Sequence, residues 1–181
     1  MKKNISYLAV LVLVISSFVA CKKDDTTTAA ATVTSSFAIR GTTFNTSTGS
    51  GVSAFQAINS FGTLVTYGLT SDGKGKGLVY ISFYGTARPA AGQYNITATN
   101  PTAANQVTLL VQDSVSVAKQ GLFNPTGTDN VKATVALTSA GKLSITLPST
   151  QLTGSNFDNT NSSNTVITTT TATVSGTFTE Q

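Results

Sequence analysis

The chain lacks histidine and tryptophan, and Cys21 is its single cysteine. One cysteine cannot form a disulfide within the chain, and without histidine it cannot complete a Cys/His zinc site. The usual nucleophile–base pairs of hydrolases are missing for the same reason. We therefore expect no catalytic residues, no metal site and no cofactor, and the sequence predicts a protein that is not an enzyme.

Positive charge is also scarce. The chain has a net charge of +4 at pH 7, which would fall to +2 if Lys2 and Lys3 were removed. In the region expected to fold, Lys74 and Lys76 form the densest basic pair. A nucleic-acid partner requires a clustered basic surface, so we expect no nucleic-acid binding.

Threonine, by contrast, occurs 33 times, and every copy follows Cys21. Threonine is β-branched and suits a pleated, half-wet strand surface. Short runs of alternating apolar and polar residues begin at Val33, with turn-forming residues between them. No window has the apolar spacing of a long helix. The pattern predicts one all-β domain at 33–181, a single antiparallel β-sandwich (Ig-like or jelly-roll-like) of about eight or nine strands.

One long loop is expected inside this domain. Residues 153–165 are rich in asparagine, serine and threonine, and Phe157 is their only large apolar residue. Such segments in compact domains are commonly functional loops or disordered ones.

The first 20 residues have the pattern of a signal peptide. Lys2 and Lys3 precede an unbroken apolar run at residues 7–15, which is shorter than the roughly 20 residues that a spanning helix needs. A buried or membrane-spanning N-terminal helix is the alternative. We expect residues 1–20 to be a signal peptide that is removed.

The end of this segment indicates how the signal is cut. The tetrapeptide at residues 18–21 is Phe-Val-Ala-Cys, which resembles the bacterial lipobox, although that motif usually has leucine where Phe18 stands. The resemblance implies cleavage before Cys21 and fatty-acyl chains, typically palmitate, on that cysteine. Because several acyl chains on one residue hold a protein firmly, the membrane would be a partner through this lipid.

The residues after the cysteine carry a second resemblance. Lys22, Lys23, Asp24 and Asp25 are similar to the surface-export signal of Bacteroidota lipoproteins. The resemblance implies an outer-membrane protein on the cell surface, and a solvated charged tether is the alternative. Together with the threonine/alanine-only stretch that follows, residues 21–32 are predicted to be a lipidated cysteine and flexible linker.

Three short motifs extend the likeness through the β-domain. They are Gly-Thr-Thr-Phe at residues 41–44, Pro-Ala-Ala-Gly-Gln-Tyr at 89–94 and Thr-Val-Ser-Gly-Thr-Phe at 173–178. The chain thus resembles small Bacteroidota surface lipoproteins of uncharacterised function. This resemblance implies a location and a β fold, and it carries over no catalytic residue.

The acidic residues allow two alternative interpretations. Paired carboxylates can hydrolyse glycans, and the candidates in the β-domain are Asp72, Asp113, Asp129, Asp158 and Glu180. Asp113 stands out because it interrupts an apolar strand pattern, which a strand end or a bulge would explain. A calcium site would draw its oxygen ligands from the loop that contains Asp158, and a solvated loop is the preferred interpretation.

Surface chemistry offers two weaker candidates. Tyr80 and Tyr84 share one side of a predicted strand and could form a ligand platform, or they could cover a second core. Thr26 and Ser114 each follow an aspartate, in a pattern similar to the Bacteroidota O-glycosylation motif. The leading hypothesis is a lipid-anchored, cell-surface β-domain that acts as a non-enzymatic binding or structural module, with a glycan or an envelope protein as partner. The alternatives are a carboxylate-dependent glycan-processing enzyme and a periplasm-facing assembly accessory.

Replacing the lipobox cysteine tests the anchor. We expect Cys21→Ser to abolish incorporation of radiolabelled palmitate and to leave the leader uncleaved, because the serine oxygen cannot form the thioether. Labelling of cells followed by gel fluorography measures both effects. Palmitate incorporation that persists in Cys21→Ser would contradict the assignment.

Overall fold

A computed structural model describes residues 35–46, 52–116, 119–127, 130–158 and 165–181, and only the backbone of residues 115, 116, 119, 158 and 165–168. All of these residues belong to one compact unit, Thr32–Gln181. The predicted signal peptide at 1–20 and linker at 21–32 lie outside the described residues.

The described residues form eleven β-strands and no helix. In chain order the strands are β1 (Ser36–Ile39), β2 (Thr42–Asn45), β3 (Val52–Ile58), β4 (Phe61–Leu69), β5 (Lys76–Phe83), β6 (Gly92–Ile96), β7 (Gln106–Ser116), β8 (Lys119–Pro125), β9 (Lys132–Leu137), β10 (Leu143–Asp158) and β11 (Thr165–Thr179). In the described part of the chain, no helix could cross a membrane. The predicted all-β class is confirmed.

Alternation along each strand builds the core. On β5, Val79, Ile81 and Phe83 are buried in one hydrophobic cluster with Val107, Leu109 and Val111 of β7. Residues from all the other strands except β3 also belong to this cluster. Successive side chains of a strand point to opposite sides of the sheet. The intervening residues of β4, β5 and β7 therefore face away from this core.

The strand pairings close into a ring. Strand β1 pairs with β2 and β11, and the ladder continues through β4, β5, β7, β8 and β10 back to β11. Strands β6 and β9 form a second bridge between β7 and β10, and β3 lies beside β4. All eleven strands thus belong to one sheet, and the predicted two-sheet sandwich is not confirmed.

Three details of the prediction are wrong. The structure has eleven strands rather than eight or nine, because 36–45 is a hairpin of two short strands and because β3 and β8 add two strands that the prediction does not contain. Strands β6 and β7 are parallel, not antiparallel, where Asn95 and Ile96 oppose Gln106 and Val107. Part of the predicted loop at 153–165 is strand: residues 153–158 continue β10, and threonine-rich β11 begins at Thr165. Cross-strand hydrogen bonds order residues 153–158 and the start of β11 although few of these residues are apolar.

One inward-facing row of the sheet lacks bulky side chains. Gly68 of β4 opposes Gly77 of β5, which opposes Asp113 of β7, and the row continues through Gly121 of β8 to Asn156 of β10. We call these five residues the glycine row. Glycine within a strand commonly marks a place where another group approaches the backbone closely.

Aromatic rings fill the first part of the glycine row. Phe37 of β1 stacks on Phe44 of β2 with ring centroids 5.6 Å apart, and both rings contact the backbone at Gly77. Only one residue pair, Asn45 opposite Leu69, joins β2 to β4. The phenylalanine rings packed on Gly68 and Gly77 therefore add side-chain contacts where strand pairing is limited to one residue pair.

A methyl group at Gly77 tests this packing. An alanine Cβ would lie 2.8 Å from Cγ of Phe44, so we expect Gly77→Ala to lower the free energy of unfolding by about 1–3 kcal/mol, the range typical of overpacked cores. Urea denaturation measures the change. In a Phe44→Leu background the same substitution should cost less, because the ring edge is gone. If Gly77→Ala lowered the free energy of unfolding equally in the wild-type and Phe44→Leu backgrounds, the Phe44 ring would not be what opposes the added methyl group.

Candidate functional site

Asp113 lies in the middle of β7 rather than at a strand end. Its side chain points inward from the glycine row and is fully buried. A register shift between Ser114 and Ser116 follows directly after it. A buried carboxylate is unfavourable without charge pairing and hydrogen bonds, so its surroundings decide what it does.

Arg40 supplies the opposite charge from the turn between β1 and β2. Arg40 has φ +51° and Gly41 has φ +79°, the pair of positive angles found in two-residue type I′ hairpins. A non-glycine residue in this region costs about 1–2 kcal/mol. The turn directs the arginine side chain over the glycine row, where it is only 27% exposed.

The two side chains form a bidentate ion pair. Arg40 donates from Nε to Oδ2 of Asp113 and from Nη2 to Oδ1, both at 2.8 Å. Its Nη1 donates to Oδ1 of Asn156 at 2.9 Å, and the guanidinium carbon lies 5.3 Å from the centre of the Phe123 ring. All three guanidinium nitrogens are thus engaged, and the cation also lies over an aromatic face.

The backbone of β8 completes the shell around the carboxylate. The N–H of Gly121 donates a hydrogen bond to Asp113. A Cβ at Gly121 would lie 2.6 Å from Oδ1 of Asp113 and still closer to the ring of Phe123. Glycine is therefore the residue that allows this close approach.

Burial and pairing act on Asp113 in opposite directions. Desolvation raises the pKa of the carboxyl above its ordinary value, whereas the hydrogen bonds and charge of Arg40 and the N–H of Gly121 lower it. Desolvation is the larger effect, so the pKa of Asp113 is raised overall. The arginine is what allows the charged form to exist inside the protein.

The exposed side of Arg40 borders an open depression. It has a volume of about 330 Å³, and its lining comprises Arg40, Gln151, Thr171, Ala172 and Thr173. Because Asp113 already neutralises the arginine, the lining offers hydroxyl and amide groups rather than net charge. Such a surface can hydrogen-bond a neutral polar group, and it supplies no nucleophile–base pair.

A second arginine pair joins the chain end to the loop before β6. Arg88 forms a bidentate pair with Glu180, with Nη2 donating to Oε1 at 2.9 Å, and the guanidinium lies over the ring of Phe55. Glu180 also accepts the N–H of Leu143. The hydrogen bonds from Arg88 lower the pKa of Glu180 below its ordinary value.

The structure places the remaining predicted residues in different surroundings. Tyr80 is 9% exposed and Tyr84 is 53% exposed, so only Tyr84 presents most of its side chain. Ser114 is half-buried on β7 opposite Lys76. Asp72 accepts hydrogen bonds from Thr70 and from the N–H of Lys74 within its turn, which lower its pKa.

Other predicted sites lie outside the described residues. These are Cys21, Lys22, Lys23, Asp24, Asp25, Thr26 and Asp129, together with the side chain of Asp158. Where the chain is described, no group of three acidic, cysteine or histidine residues is placed to hold a metal ion.

Arg40 is the one residue of this site that no sequence pattern pointed to. The sequence does narrow the choice of partner for Asp113, because the chain has only two arginines. Arginine is the cation best suited to bidentate pairing with a buried carboxylate. Asp113 in an apolar strand requires such a partner. Nothing local indicates which arginine it is.

Comparison of the chain with protein-family models, with curated proteins and with solved structures finds no match.

Removing the arginine charge tests the ion pair. We expect Arg40→Met to lower the free energy of unfolding by about 3–5 kcal/mol at neutral pH, because it leaves a buried, unpaired carboxylate. The folded-state pKa of Asp113 then rises further above its unfolded value. The Arg40→Met variant therefore keeps its stability at pH values below the pKa of Asp113 in the unfolded state. It loses that stability as pH rises through the pKa of Asp113 in the folded state.

Urea denaturation at a series of pH values measures this dependence. In the Arg40→Met, Asp113→Asn double variant the pH-dependent loss should vanish, since no ionisable group remains at the site. A loss in Arg40→Met that is the same at acidic and neutral pH would exclude the unpaired carboxylate as its cause.

Proposed function

We propose that this protein is a lipid-anchored β-domain of the bacterial outer membrane, displayed on the cell surface as a non-enzymatic binding or structural module. The observation that carries the proposal is the lone Cys21, at the end of a leader that resembles a lipoprotein signal peptide. The lysines and aspartates at residues 22–25 support outward display. Membership of the Bacteroidota surface lipoproteins is part of the same proposal.

The engagement of the carboxylates supports a role other than catalysis. Asp113 and Glu180 are each held by an arginine, and Asp72 is bonded within its own turn. A glycosidase needs one carboxyl group free to protonate the leaving group and another free to act on the sugar or on water. These three groups serve the fold instead.

Two surfaces are available for a polar partner such as a glycan or an envelope protein. One is the uncharged depression beside Arg40, and the other includes the exposed ring of Tyr84. Tyr80 contributes little to a stacking platform because it is 9% exposed. O-glycans on Thr26 or Ser114 belong to the same proposal.

We also propose that the ring of strands is flattened into two packed layers, as in a sandwich. One hydrophobic cluster includes both the inward residues of β5 and β7 and those of β1, β10 and β11. Facing layers about 10 Å apart would share side chains in this way.

Protease shaving of intact cells tests the outward orientation. Added protease should remove the wild-type domain from the cells while a periplasmic marker protein stays intact. The control variant is Lys22→Ala, Lys23→Ala, Asp24→Ala, Asp25→Ala, which keeps Cys21 and its lipid. This variant should become protected, because its export signal is gone. A wild-type domain that resists shaving on whole cells, but is digested after the outer membrane is opened, would instead favour a periplasm-facing accessory.

A further inference from the structure

Strand β3 has one paired side and one open side. Its seven residues pair with β4 without a register shift, from Val52 opposite Tyr67 to Ile58 opposite Phe61. Among the described residues, no strand pairs with the other side of β3, and Ala57 near its end is exposed. An open strand edge presents unpaired backbone N–H and C=O groups, which are a template for another strand.

The turn after β3 determines which backbone groups face the open edge. Asn59 and Ser60 both have positive φ, +47° and +71°, and they form a two-residue type I′ turn between Ile58 and Phe61. The two residues that close such a turn bond to each other, so Ile58 and every second residue before it direct their backbone groups to β4. The residues that direct theirs to the open edge are Ser53, Phe55 and Ala57.

A contact at Ser53 confirms this alternation and limits the open edge. The carbonyl of Ser53 accepts a hydrogen bond from the backbone N–H of Gln181 at 2.8 Å, so Gln181 closes the edge at this position. At the other end of β3, the edge stops at the turn that begins with Asn59. The backbone groups of Phe55 and Ala57 lie between these two limits, and we call residues 55–57 the β3 window.

The β3 window lacks the features that prevent edge-to-edge pairing. Natural sheets protect an open edge with lysine, with proline or with a bulge. Residues 52–58 are Val-Ser-Ala-Phe-Gln-Ala-Ile, without a charged residue, a proline or a register shift. The start of β11, which β1 does not cover in the described sheet, has a register shift opposite Asn156 and Phe157. Protection is thus present at that open edge and absent at β3.

The limits of the β3 window favour a second copy of the chain over a long peptide. A long strand laid along β3 would meet Gln181 beside Ser53. Strand β3 of a second copy, related by a twofold axis at Gln56, would end in its own turn at that point, because its Asn59 falls opposite Ser53. Each copy would thereby avoid Gln181 of the other. Twofold pairing uses the same surface on both chains, as in most homodimers.

The side chains of the β3 window also complement one another across such an axis. Phe55 of each copy lies opposite Ala57 of the other, and the two pairs would exchange about four backbone hydrogen bonds. Phe55 packs towards the core side, where the ring meets a methyl group rather than a second ring. On the opposite side, Nε2 of Gln56 is shielded from water and has no acceptor among the described groups. After rotation of the amide, Oε1 of Gln56 from the second copy can supply that acceptor.

We propose that the β3 window is a dimerisation site, at which a second copy of this chain adds its own β3 antiparallel across a twofold axis at Gln56. The sheet then continues from β4 and β3 of one copy into β3 and β4 of the other. Residues 54–58 pair on each side, far fewer than the roughly 20–30 residues a side of a standard interface, so the dimer forms weakly and reversibly. The inference goes beyond the proposed function and does not depend on the lipid anchor.

Disulfide trapping tests this register in the full-length chain, purified in detergent. All variants carry Cys21→Ser, so that the introduced cysteines are the only thiols. Gln56→Cys places two thiols across the axis at a Cα separation of about 4.5 Å, which a disulfide can bridge. Ala54→Cys, on the same side of β3, is the matched control, because its two copies would lie about 14 Å apart along the strands. The double variant Ala54→Cys, Ile58→Cys brings each introduced cysteine opposite the other one of the second copy.

We expect oxidation with copper–phenanthroline to convert Gln56→Cys and the double variant to disulfide-linked dimers on a non-reducing gel, and to leave Ala54→Cys monomeric. Adding Ala57→Pro to Gln56→Cys should lower the dimer yield several-fold. Proline at this position removes an N–H that faces the open edge and none that bonds to β4.

Equal cross-linking of Gln56→Cys and Ala54→Cys would indicate random collision and overturn the proposal. Cross-linking of Ala54→Cys alone would also overturn it, because the chains would then pair in another register. If Gln56→Cys does not fold, the double variant decides: a folded double variant that stays monomeric overturns the dimer.

Discussion

The close approach of the β1–β2 hairpin to the glycine row is the constraint on which the rest of the structure depends. Three glycines in this row leave space above the sheet, and the hairpin fills it with two phenylalanine rings and the guanidinium of Arg40. Asp113 has no access to water there, so the arginine must be present for the carboxylate to be charged. The glycine row and the hairpin therefore require each other: side chains in the row would displace the hairpin, and without the hairpin a charge would be buried alone.

Closure of the ring of strands follows from this contact. Backbone hydrogen bonds connect most neighbouring strands over several residues, but β2 meets β4 at a single pair. With one cysteine, the chain has no internal disulfide to strengthen that junction, and the described residues include no helix. Phe37 also stacks on Phe178 of β11, with centroids 5.1 Å apart. The phenyl ring of Phe37 thus joins the first strands of the domain to the last. Side-chain packing therefore supports the closure of the strands where strand pairing is limited to a single residue pair.

Two ion pairs contribute to this architecture. Both arginines of the chain hold a carboxylate in bidentate geometry, one in the interior and one near the C-terminus. The central outward rows of the sheet are uncharged, with apolar and tyrosine side chains on β4, β5 and β7 and hydroxyl side chains on β1, β10 and β11, whereas Lys76 and Lys132 lie farther along the outward sides of β5 and β9.

The alternation of apolar residues by itself determined the all-β class and the position of many strands, because that signal depends only on near neighbours in sequence. Asp72 illustrates the same point, since its turn hydrogen bonds are local. The first half of strand β11 and the end of β10 lack this alternation, because their threonines are ordered by cross-strand pairing and not by apolar content. Asp113 was visible as an exception in its strand, but its partner lies 73 residues away. Only the tertiary structure decided that Arg40 reaches it, because the pair depends on strand register and on space left by distant glycines, which no local pattern contains.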